Sequence, residues 1–95
     1  AEAALALFRP PLETAASEPI VAALAGAAAH ALGAPAPLVG ATFWMDAALL
    51  SDAGIDTVVI GPSGAGAHAL EEWVDLGSVE KLTDILTAAA REFCR

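Results

Sequence analysis

The residues of this chain best equipped for chemistry cluster around one histidine. His68 follows the glycine-rich stretch Gly61-Pro62-Ser63-Gly64-Ala65-Gly66-Ala67 and precedes the carboxylates Glu71 and Glu72. An imidazole beside carboxylates is the material of metal ligation or of general acid–base catalysis. No second histidine or cysteine stands at ligand spacing, so any metal held by His68 needs ligands from elsewhere, and a ligating imidazole wants its other nitrogen fixed by a carboxylate or carbonyl. Two nucleotide readings of the glycine stretch fail. A phosphate-binding loop requires Lys and then Ser or Thr after Gly66, where Ala67 and His68 stand; a dinucleotide fingerprint requires a third glycine, where Ala69 stands.

The other reactive side chains offer less. His30 falls opposite the apolar stripe of its segment and reads as solvated. Cys94 has no basic neighbour except Arg91 and Arg95, which does not make a nucleophile of it. Asp46 reads first as a helix cap and second as a carboxylate able to orient an imidazole.

The elements that must position these groups follow from patterning. Residues 3–9, apolar on both faces and stopped by Pro10-Pro11, read as a short buried strand. Ser17 and Pro19 predict a helix over 18–32, with Ile20, Leu24, Ala28 and Ala31 on one face and Gly33 at its end. Asp46 predicts a cap for a short helix over 47–53 that stops at Gly54. Thr57-Val58-Val59-Ile60 reads as an interior strand leading into the glycine stretch, where open α/β sheets place their ligand sites. A last helix is predicted from a Ser78 cap, with Val79, Leu82, Ile85, Leu86, Ala89 and Phe93 on one face. The order implies an α/β fold, with helices packed on a small mixed sheet.

Composition sets the bounds. The 95 residues allow one small core, and 25 of the 54 apolar residues are alanine, so burial is modest. The formal charge of −8 excludes nucleic acid and an anionic membrane surface as partners. The tract from Val21 to Leu38 is broken by His30, Gly33, Pro35 and Pro37 and does not span a membrane. A lone cysteine forms no internal disulfide, so a soluble protein of a reducing, cytoplasmic compartment is expected. The absence of a methionine at Ala1 suggests a processed or excised chain.

Together, Gly40-Ala41-Thr42-Phe43-Trp44-Met45-Asp46-Ala47-Ala48-Leu49-Leu50, Ala53-Gly54-Ile55, the strand into Gly61-Pro62, and Ala67-His68-Ala69-Leu70-Glu71-Glu72-Trp73-Val74 resemble the C-terminal part of the co-catalytic zinc deacylases and peptidases. That family includes acetylornithine deacetylase, succinyl-diaminopimelate desuccinylase, aminoacylase and glutamate carboxypeptidase. Arg9-Pro10-Pro11-Leu12-Glu13 resembles its return from a lid domain. The resemblance implies a last lid strand over residues 1–9 and a C-terminal catalytic-domain segment over 10–95. It further implies His68 as a ligand to one of two zinc ions, with cobalt or manganese as substitutes. Glu72 would lie beside that metal, while Asp46, Gly61, Ser63, Gly64 and Gly66 would line or support the substrate pocket. Met45 replaces a common Thr, and Leu70 a common Pro. The family's His-x-Asp motif, bridging aspartate and catalytic glutamate pair have no counterpart here; Glu71-Glu72 belongs to the terminal motif. The implied function is a portion of a zinc-dependent amidohydrolase acting on N-acyl amino acids or peptides, inactive alone, with oligomerisation through the lid. The alternative is a small acidic α/β module that binds a protein partner without catalysis.

Overall fold

A computed structural model describes all 95 residues. In chain order, the elements are α1 (Pro19–Leu32), α2 (Ala47–Asp52), β1 (Gly64–Ala65), β2 (Trp73–Val74) and α3 (Leu76–Phe93). The α/β class holds. The sheet, however, is a single antiparallel pair, with Gly64 opposite Val74 and Ala65 opposite Trp73, and not a mixed sheet.

The core is a pair of helices. Val21 and Ala28 of α1 and Ile85 and Ala89 of α3 are four of the five buried residues, and Ala48 of α2 is the fifth. The start of α1 lies against the end of α3, where Pro19, Ala22 and Ala23 share a depression with Glu92 and Phe93, so the two helices run antiparallel. Their side-chain pattern explains the pairing: Glu80, Lys81, Asp84, Arg91 and Glu92 stay exposed on α3 while Ile85 and Ala89 turn inward. Alanine at the contact leaves no room for a larger side chain. Ala28→Leu is accordingly expected to overpack the α1–α3 seam and cost about 1–3 kcal/mol. Thermal unfolding monitored by helical circular dichroism would register this as a lowered midpoint, and an unchanged midpoint would show that the helices pack elsewhere.

The caps differ in detail from expectation. Glu18, not Ser17, occupies the N-cap of α1, in extended conformation and without a side-chain capping bond, because Pro19 at the first helical position sets the entry. Gly33 closes α1 in the left-handed region and donates its N–H to the carbonyl of Ala29. Asp75, not Ser78, caps α3: its carboxylate accepts the Gly77 N–H at 2.9 Å.

Neither expected interior strand forms. Residues 3–9 and 57–60 join no ladder, and Leu5, Leu7, Phe8, Val59 and Ile60 are exposed. β-branched and apolar residues favour a strand only when a neighbouring strand supplies hydrogen bonds and packing, and no strand of this chain pairs with them. What joins these regions instead is sparse. The Thr14 hydroxyl donates to the carbonyl of Thr57 at 2.6 Å, the Trp44 indole N–H donates to the carbonyl of Pro10 at 3.0 Å, and the Arg9 guanidinium lies 5.9 Å from the centre of the Trp44 ring. The chain is correspondingly spread out, with a radius of gyration of 16.2 Å, against about 12 Å for a compact chain of this length. No helix is long and apolar enough to cross a membrane.

Candidate functional site

The glycine stretch folds as one arm of a hairpin, and its glycines are demanded by the close approach of the other arm. A Cβ on Gly64 would run into the backbone carbonyl of Trp73, and one on Gly66 into that of Glu71. Gly66 also has φ 81°, and its carbonyl accepts the Ala69 N–H at 2.8 Å to close the turn. Below the ladder, the Ser63 carbonyl accepts the Asp75 N–H at 2.8 Å, tying the base of the hairpin to the start of α3.

His68 stands at the tip of this turn. It has φ 65° and is the sole non-glycine residue with positive φ in the chain, and it is exposed. Histidine tolerates the left-handed region better than most side chains, yet the conformation still costs about 1–2 kcal/mol relative to the right-handed one. A turn that needed only reversal would be served better by glycine. Keeping a histidine there holds an imidazole out at the apex.

The arrangement gathers some of the expected site residues and not others. Gly64, Gly66 and Glu72 line a shallow open depression of about 380 Å³ along the hairpin, together with Pro62, Trp73 and Val74. Gly61 and Ser63 lead into it. His68 projects at the end of the hairpin outside that depression, and Asp46 lies at the start of α2, also outside it. Asp46 occupies the N-cap position but does not cap by its side chain. Its φ of −59° and ψ of −18° are helical, whereas a capping side chain reaches back to the helix N–H groups from an extended backbone. Its carboxylate is therefore exposed and uncommitted to the helix. His30 is exposed in the last turn of α1, and Cys94 is exposed at the end of α3.

The amides of the glycine stretch are not all open to a ligand. The Ser63 N–H donates to the Ser78 hydroxyl at 2.9 Å. This tie escaped sequence reading because Ser78 already served as the expected helix cap; the signal was Asp75, three residues earlier, which can cap and so frees the serine.

A metal needs converging donors, and nowhere do three or more His, Cys, Asp or Glu side chains come together to hold one. His68 offers a single imidazole, so the residues of this chain do not fit a metal site by themselves.

The model of peptidase family M20/M25/M40 matches residues 2–92 of the chain. No curated protein and no solved structure matches the chain.

Proposed function

Because the chain belongs to peptidase family M20/M25/M40, a family of hydrolases that are generally zinc-dependent, we propose that it is the C-terminal portion of an amidohydrolase, an N-acyl amino acid deacylase or a metallopeptidase. The observation that carries this reading is the left-handed, exposed His68 at the apex of a glycine-built hairpin. Strained non-glycine backbone is retained where a side chain must be presented. His68 supplies one zinc ligand, and the remaining donors come from residues outside these 95.

The other residues act around it. Glu72, on the rim of the hairpin depression, places negative charge near the ligand; Gly64 and Gly66 form a wall of the pocket for a small N-acyl amino acid or peptide, and Gly61 and Ser63 lead into it. The exposed Asp46 carboxylate is available to orient a ligating imidazole. Residues 1–9 correspond to the return from a lid domain and 10–95 to the catalytic domain. That assignment accounts for Leu5, Leu7, Phe8, Val59 and Ile60, whose exposure is relieved when further strands cover them. Dimerisation through the lid and a cytoplasmic setting complete the reading. Cobalt or manganese could replace zinc.

This reading requires the 95 residues alone to be inactive, because removing catalytic groups that act as a unit abolishes turnover. Release of amino acid from several N-acyl amino acids, measured with excess zinc, should stay at background. Turnover that a chelator and His68→Ala both abolish would overturn the assignment of the remaining donors to residues elsewhere.

A further inference from the structure

We propose that Ser78 is a positioning residue that sets the hairpin, and through it His68, against α3; the proposal rests on the reading of His68 as the presented ligand. The hairpin has a ladder of only two residue pairs, too few to hold its own orientation in water. Its base is held from outside. The Ser78 hydroxyl donates to the Asp75 carbonyl at 2.6 Å, with the Ser63 carbonyl a longer acceptor at 3.4 Å, and its oxygen accepts the Ser63 N–H at 2.9 Å. The Ser63 carbonyl in turn accepts the Asp75 N–H at 2.8 Å.

Ser63 is thus gripped at both its amide and its carbonyl by the first turn of an 18-residue helix whose far half is packed on α1. The base of the hairpin is tied to helix α3 through these bonds. From Ser63 the chain runs directly through Gly64 and Ala65 to the left-handed Gly66 and then to His68, so a rotation at the base swings the imidazole. Ser78 touches neither substrate nor metal and acts only through this path.

Amide exchange and imidazole resonances, followed by NMR on the full chain, test it. In the wild type the Ser63 amide should exchange more slowly than that of Gly61; equal exchange would overturn the proposal whatever the variants do. Ser78→Ala should speed Ser63 exchange roughly three- to tenfold, the effect of losing one ordinary hydrogen bond. It should also shift the His68 ring resonances while leaving those of His30 in place. Ser78→Thr, which keeps the hydroxyl, should restore both readouts. Faster Ser63 exchange with an unmoved His68 would reduce Ser78 to local structure and refute a positioning role, as would Thr behaving like Ala. Metal analysis of the complete protein tests the separate point: if His68→Ala keeps full zinc occupancy while the Ser78 effects stand, the ligand reading fails and the positioning role survives.

Discussion

Gly66→Ala is expected to abolish the hairpin while leaving the helices intact. The new Cβ would meet the Glu71 carbonyl, which belongs to the backbone of the opposite arm and cannot rotate away as a side chain tip could. The φ of 81° adds a penalty for any side chain, of order 1–3 kcal/mol. A two-pair ladder has little to set against these terms, so the arms should separate and the Ala69 N–H should lose its bond to Gly66. Because α1 and α3 pack through Val21, Ala28, Ile85 and Ala89, helical circular dichroism should change little. If His68 is the ligand proposed above, the same substitution in the complete protein should remove nearly as much activity as deleting the His68 imidazole, since a ligand swung out of place is as good as absent. Retained protection of Ala69 in amide exchange, with unaltered activity, would show that the hairpin does not present His68.

The sequence was most legible where structure is local. The start of α1 at Pro19, its end at Gly33, the short α2 and the extent of α3 all follow from residues within a few positions of each other and appear as expected to within a residue or two. Of the face expected to be apolar on α3, however, only Ile85 and Ala89 are buried, and Leu86 and Phe93 are exposed because no partner covers them. Residues 3–9 and 57–60 misled because strand formation depends on a partner, and apolar β-branched patterning is silent about whether that partner lies in the same chain. The hairpin was missed for the opposite reason. Gly64-Ala65 has almost no strand propensity, and its pairing with Trp73-Val74 rests on close backbone approach, which only glycine permits and which patterning does not report. At the candidate site, His68 was conspicuous from its place after the glycines and before Glu71 and Glu72. Its left-handed backbone was not, since histidine is no marker of positive φ as glycine is. Asp46 and Ser78 were each assigned to capping by residue type. Backbone angles at Asp46 and the better-placed Asp75 released both from that role.

His68 carries the second large effect, and two substitutions there separate presentation from backbone cost. His68→Ala removes the imidazole and keeps a side chain in the left-handed region. His68→Gly removes the imidazole and relieves the conformational cost of about 1–2 kcal/mol, partly offset by the entropy that glycine loses on folding. The glycine variant should therefore hold the hairpin at least as firmly as the wild type, seen as equal or slower exchange of the Ala69 amide, and yet be as inactive as the alanine variant. Deleting a ligand should exceed the roughly 10–100-fold loss in metal affinity that follows removal of a ligand's outer partner. A glycine variant that keeps activity would make His68 a turn residue and nothing more.

The central claim, that His68 is the metal ligand this segment contributes, is met most directly by metal analysis of the complete protein bearing His68→Ala beside one bearing His30→Ala. The His68 variant should lose one of the two zinc ions implied by family resemblance, while the His30 variant, altered at an exposed residue in the last turn of α1, should retain both. Full and equal zinc occupancy in the two variants would contradict it.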